Sequence, residues 1–251
     1  PTLVVFAILA VIIATWRVTR SRSSRPQQRA SWAAALLLWV AWGAFLLEWK
    51  AAATCSRPLA LDPSRPVVCI GDSLTSGLLP DRGYPEQLKG LVRPPVVNLG
   101  QSGISTEVGF ERLSRIPTDG PPPLVVVREL GGHDYLKGLP RAATKKNLIR
   151  LVEACQNMGA DVALMEIPRG FMSDPYWGLE REIAHEKDLS LISDSAIRQL
   201  VLWSPVSPPG MWCPRSQLSD DGIHSNPRGS AFLARHVAKS LERMYGDAVR
   251  H

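Results

Sequence analysis

The chain opens with two long runs that contain no charged side chain. Residues 2–16 and 31–47 are almost wholly apolar, and Arg17, Arg20, Arg22, Arg25 and Arg29 lie between them. A bilayer core of about 30 Å takes roughly 20 apolar residues as a helix, so the second run is long enough to cross and the first is a shorter partner. The pattern predicts a transmembrane hairpin of two helices over residues 1–50. Positive charge concentrates in cytoplasmic loops, which puts the arginine loop inside and everything after the hairpin on the extracytoplasmic side. Trp32 and Trp49, at the two ends of the second run, suit an interfacial belt. Two other readings stand beside this one. The arginines and the second run also fit the n- and h-regions of a signal peptide with Ala51-Ala52-Ala53 as its cleavage site, although Glu48 and Lys50 crowd that site. The third reading is a hairpin buried in a folded core.

Residues 51–65 form a polar, proline-containing linker, and the pattern changes at residue 66. From there to residue 251 short apolar runs alternate with amphipathic stretches. Strands are expected at 67–70, 96–99, 124–130, 162–167 and 189–192, near-continuous runs of the kind that parallel strands show when both faces are covered. The clearest helix spans 142–158, where Leu148, Leu151, Val152, Cys155 and Met158 share one face while Lys145, Lys146 and Arg150 lie elsewhere on the wheel. Asn226-Pro227 opens a last helix that runs to about residue 245. Repeated β–α units predict a parallel sheet with helices on both faces.

Charge narrows the function. The 251 residues carry a formal net charge of +6. The first sixty hold six Arg, one Lys and one Glu, so the whole excess sits there, and the rest has 22 basic and 22 acidic side chains. A neutral globular part has no electrostatic footprint for a polyanion, which argues against nucleic acid as a partner. The four cysteines lack metal-ligand spacing, no glycine-rich phosphate loop is present, and neither a metal nor a cofactor is expected. Cys69 falls in the first predicted strand and Cys155 on a helix core face, as packing residues. Cys55 and Cys213 lie outside those elements, and their pairing stays open. His185, His236 and His251 have no partner pattern.

Sites on such sheets lie at the carboxyl ends of the strands. There the chain places Gly71-Asp72-Ser73-Leu74, Asn98-Leu99-Gly100 and Gly131-Gly132-His133-Asp134, and just before the last helix Asp221-Gly222-Ile223-His224. A serine at a strand-to-helix turn is a poor nucleophile unless a base takes its proton. His224 is a candidate base, and Asp221 a candidate group to fix its tautomer. The N–H groups of Ser73 and Gly100 with a side-chain donor from His133 would make an oxyanion hole.

The set, in this order, resembles the SGNH/GDSL hydrolases, and most of all their thioesterase I / lysophospholipase L1 / arylesterase branch. The resemblance runs from about Val67 to Met244 through V-C-I-G-D-S-L-T-S-G, V-N-L-G-Q-S-G, V-R-E-L-G-G-H-D and S-D-D-G-I-H-S-N. It implies a three-layer α/β/α, flavodoxin-like domain with a five-stranded parallel sheet. It further implies cleavage of carboxylic esters or thioesters through an acyl-serine, without metal or cofactor. Ser73 would be nucleophile and first oxyanion donor, Gly100 the second donor, His224 the base and Asp221 its partner. The family usually has Asn where this chain has His133; an imidazole donates from one nitrogen when neutral and from two when protonated. The acyl pocket is expected on the loops after the third and fourth strands, with Tyr135, Leu136, Phe171 and Met172 as substrate contacts. A domain held at an outer membrane face would meet acylated lipids such as lysophospholipids. Removal or transfer of O-acetyl groups on an envelope polysaccharide, and a non-catalytic binding module, are the competing functions.

Overall fold

The computed structural model describes residues 32, 35, 36, 39, 40, 42, 43, 59–79, 81–116, 120–167, 174–193, 217–221 and 224–251. The chain divides into two compact units, residues 1–52 and 53–251. In the first, the described positions between 32 and 43 are helical, and Trp32, Leu36, Trp39 and Val40 are exposed. Most of the expected transmembrane hairpin, Trp49 and the cleavage-site alanines lie outside the described residues, and among those described no helix is long and apolar enough to cross a membrane.

The second unit is built on five parallel strands, β1 (Val67–Gly71), β2 (Val96–Asn98), β3 (Val125–Glu129), β4 (Asp161–Met165) and β5 (Ser190–Ile192), in the order β2-β1-β3-β4-β5. All five strands expected from the apolar runs form, and this order is that of the flavodoxin-like sheets. The helices are α1 (Ser73–Ser76), α2 (Gly83–Leu88), α3 (Thr106–Leu113), α4 (Gly132–Leu136), α5 (Arg141–Asn157), α6 (Leu179–Glu186) and α7 (Pro227–Tyr245). The helices expected at 142–158 and 226–245 are α5 and α7. Asn226 caps α7 by accepting from the N–H groups of Arg228 and Gly229, with proline at the position where a missing N–H costs nothing.

Side-chain alternation along the strands sorts the core into two layers. Val67, Cys69, Val125 and Val127 pack with Tyr84 and Leu88 of α2 and with Leu233, Val237 and Leu241 of α7. Val68, Ile70, Val126 and Leu164 pack on the other face with Leu148, Leu151, Val152 and Cys155 of α5 and Leu179 and Ile183 of α6. Cys69 and Cys155 are free, buried thiols, as their places in the pattern imply. Cys55 and Cys213 lie outside the described residues. Strand β3 carries two charged side chains into the middle of the sheet. Arg128 and Glu129 are both fully buried, and alternation sends them to opposite faces of the sheet.

Candidate active site

The topology brings the carboxyl ends of β1, β2 and β3 side by side. Gly71 pairs in register with Glu129, and Cys69 with Asn98. Past β1 the chain turns directly into the one-turn helix α1, with Ser73 as its first residue. Asp72 caps that helix, its carboxylate accepting from Leu74 N–H at 3.3 Å. Ser73 is half-buried, and its hydroxyl is not hydrogen-bonded to His224. Nucleophile–base bonds of this kind often tighten only when substrate is bound.

Asp221 and His224 are brought together. His224 Nδ1 lies 2.5 Å from Asp221 Oδ2, and Oδ1 of the same carboxylate accepts from the His224 backbone N–H at 2.9 Å. The carboxylate holds the ring through Nδ1, leaving Nε2 as the nitrogen available to a substrate-side proton. Their loop is itself anchored. Its edges meet in a short bridge between Leu218 and Ser225. Ser225 and Ser230 share a hydroxyl bond of 2.9 Å, and Ser230 donates to the buried Asp81, in the loop that follows α1. Burial pushes Asp81 above the usual carboxylate range, against the opposing pull of Ser230 and the Gly83 and Arg82 N–H groups. The histidine loop and the serine turn are thus joined across 149 residues of sequence.

The β2 end departs from expectation. Gly100 does sit against the nucleophile turn, where a Cβ would lie 2.5 Å from Ser76 N and 2.8 Å from Thr75 Cγ2. Its N–H, however, donates to Asn98 Oδ1 at 2.9 Å and so is not free for an oxyanion. Asn98 also donates from Nδ2 to the carbonyls of Thr75 at 3.1 Å and Arg82 at 3.2 Å, fastening β2 to α1. Gly100 is a close-approach residue here. Three residues on, Gly103 adopts a left-handed φ of +80°, has open space where a Cβ would stand, and makes no backbone hydrogen bond through its N–H. Nothing local in the sequence singles it out, since Gly100 follows the strand more closely.

His133 lies in the first turn of α4, half-buried. Its neighbour Asp134 is fully buried and ties that turn down. Asp134 accepts from Thr106 N–H at 2.8 Å, from Thr106 Oγ1 at 2.5 Å and from Thr144 Oγ1 at 3.4 Å, joining α4 to α3 and α5. Of the expected substrate contacts, Tyr135 is partly buried and meets Tyr176 edge to face with ring centroids 6.1 Å apart, while Leu136 is 73% exposed. Phe171 and Met172 lie outside the described residues. No cluster of metal-ligating side chains occurs among the described residues.

Glu129 is a site residue that the pattern of apolar runs does not single out. Its Oε2 accepts from Asp72 N–H at 3.0 Å and from Thr75 Oγ1 at 3.0 Å, immediately behind Ser73. Its signal in the sequence is a charged pair, Arg128-Glu129, closing a central strand that is apolar up to that point.

Fold and site together define a class: ester-cleaving serine hydrolases built on a flavodoxin-like sheet. Comparison with known proteins agrees. The sequence model of the GDSL-like Lipase/Acylhydrolase family matches residues 69–232, and the chain belongs to this family. An arylesterase of Vibrio mimicus is 27% identical over 194 residues, 72% of this chain and 90% of the relative. Thioesterase 1/protease 1/lysophospholipase L1 of Escherichia coli K12 is 26% identical over 185 residues, 70% and 83% of the two chains. Among solved structures, the psychrotrophic esterase EstA from Pseudoalteromonas sp. superposes with a TM-score of 0.58 at 21% identity, covering 72% of this chain and 98% of that one. TesA gives 0.54 at 24% identity, covering 72% and 99%. These likenesses show the fold. The chain is a serine hydrolase that acts on ester bonds.

Proposed function

We propose that the chain cleaves acyl esters of lipids, such as lysophospholipids, with Ser73 as nucleophile, His224 as general base and Asp221 as the group that orients it. The observation that carries this reading is the Asp221–His224 pair, held by two hydrogen bonds in a loop that Ser230 and Asp81 tie to the serine turn. His224 takes the Ser73 proton as Oγ attacks the acyl carbon. The tetrahedral oxyanion forms beside Ser73 N–H, and the imidazolium returns its proton to the leaving alcohol. Water then attacks the acyl-serine by the same base.

Gly103 N–H and the His133 ring are the remaining donors proposed for the oxyanion. Gly103 takes the role expected of Gly100, whose N–H is spent on Asn98. The apolar surface that Leu136 and Tyr135 offer after β3 supports an acyl chain over a small polar group, and a relative named lysophospholipase L1 points the same way. For location we propose a hairpin anchor over residues 1–50 with the hydrolase domain on the extracytoplasmic side. The arginine loop supports it, as does the exposed stripe of Trp32, Leu36, Trp39 and Val40 at helical spacing.

The test is turnover of p-nitrophenyl esters from acetyl to palmitoyl by the full chain, with Ser73→Ala as control. A medium or long optimum lost in Ser73→Ala is the expected result. Activity on acetate alone would move the reading to a deacetylase, and silence throughout would overturn it.

A further inference from the structure

Behind the serine turn lies a pair of acids that the triad does not use. Glu129 closes β3 with no exposed surface, and Asp72 is 6% exposed. Glu129 Oε2 takes two hydrogen bonds from the turn, one from the backbone at Asp72 and one from the Thr75 hydroxyl, both at 3.0 Å. Those donors bracket Ser73. Gly71 leaves the space in which this happens: a Cβ there would stand 2.0 Å from Thr75 Oγ1 and 2.6 Å from Glu129 Oε2. The glycine of Gly71-Asp72-Ser73 therefore makes room for a carboxyl group 58 positions later in the chain.

We propose that Glu129 is a positioning residue of the hydrolase: its carboxyl group clamps both sides of the turn that carries Ser73 and steers the Asp72 carboxylate that faces the Gly132–His133 backbone.

The chemistry of the second oxygen fits. As a carboxylate, Glu129 Oε1 would be buried with no donor, an arrangement costly enough to hold the proton on the acid instead. Burial first, and the Asp72 charge second, push Glu129 well above the usual carboxylate range. The two carboxyl groups lie close enough for each to shift the other, and Glu129, the more deeply buried, is the one that burial holds protonated. Cys69 and Tyr84, which pack on this side of the sheet, are buried, and burial pushes both upward and keeps them neutral. Asp72 Oδ2 in turn lies 3.2 Å from where a Gly132 Cβ would be, and burial lifts Asp72 above the usual carboxylate range against the weaker opposing pulls of the Leu74 N–H and the His133 ring. One neutral acid therefore braces the turn that holds the nucleophile and, through Asp72, the strand end that holds the side-chain oxyanion donor.

This inference rests on the ester-hydrolase reading, so the experiment separates the two. Full-length wild type, Ser73→Ala, Glu129→Gln, Glu129→Met and Thr75→Val are compared by thermal unfolding, by kcat and KM on the best p-nitrophenyl ester, and by the rate at which an ethyl phosphonate labels the chain. Labelling reads the serine turn without knowledge of the natural ester. Labelling absent from wild type, or undiminished in Ser73→Ala, overturns the hydrolase assignment and the inference with it. Given labelling, Glu129→Gln keeps both accepted bonds on its carbonyl oxygen and the zero charge of the protonated acid. It is expected to stay within about threefold of wild type, while Glu129→Met loses about 10²-fold in kcat and labelling with KM little changed. Should Glu129→Met fail to fold, a Glu129→Gln near wild type and a several-fold slower Thr75→Val carry the result. Folded Glu129→Met at the wild-type rate, Glu129→Gln as slow as Glu129→Met, or Thr75→Val without effect would overturn it.

Discussion

Asp221 grips His224 twice, from Oδ2 to the ring Nδ1 at 2.5 Å and from Oδ1 to the backbone N–H at 2.9 Å. A carboxylate that holds both the ring and its own main chain fixes the imidazole in tautomer and in direction. Asp221→Asn keeps the shape but offers an N–H where the ring needs an acceptor, and should lower kcat by about 10⁴. Ser73→Ala should cost about 10⁶. Steady-state kinetics on one p-nitrophenyl ester, with the chain shown to be folded by circular dichroism, checks both.

Gly71→Ala tests the crowding behind the nucleophile. The added methyl collides with the Thr75 hydroxyl and the Glu129 carboxyl, neither of which has free space. Overpacking of this kind costs about 1–3 kcal/mol. The expected outcome is a lower Tm together with a fall in kcat, because the displaced groups are those that hold the serine turn.

The acid pair gives stability a pH dependence of defined sign. Glu129 has its folded value raised above the ordinary 4.5, so the proton favours the fold. The contribution is complete below the unfolded value and is lost as pH rises toward the folded one. Asp72, lifted above its ordinary 3.8 by burial, adds in the same direction. Wild type should therefore lose thermal stability as pH rises above the ordinary carboxylate range. Glu129→Gln should flatten the curve, leaving the Asp72 part. Scanning calorimetry from pH 4 to about 9 measures the difference.

Ser230→Ala removes the hydroxyl that ties the histidine loop to Asp81. A buried carboxylate deprived of a donor costs about 1–3 kcal/mol. Denaturant unfolding should show that loss, and kcat should fall with it, since the tie sets the distance between the His224 loop and the serine turn.

His133→Ala should lower kcat by about 10²–10³, the scale of one lost oxyanion donor. His133→Asn, which restores an amide donor, should recover most of that rate. If His133→Ala has the wild-type kcat, the ring takes no part in the oxyanion hole.

Much of this protein is written locally. The apolar runs at 67–70 and 124–130 become β1 and β3 because buried parallel strands need apolar side chains on both faces. The helix face of Leu148, Leu151, Val152 and Cys155 is the buried face of α5, since a 3.6-residue period has one way to meet a core. The Asp221–His224 pair was legible too, because three residues of spacing span one turn of loop. What the sequence could not decide were relationships between distant positions. Glu129 reaches the serine turn across 57 residues, and Ser230 reaches Asp81 across 149. The choice between the Gly100 and Gly103 N–H groups depends on where the Asn98 side chain points. Side-chain period and turn chemistry act over a few residues and leave their trace in the sequence. Whether a buried acid finds a donor, or an N–H is already taken, depends on which strand ends the β2-β1-β3 order brings into register, and only the folded sheet settles that.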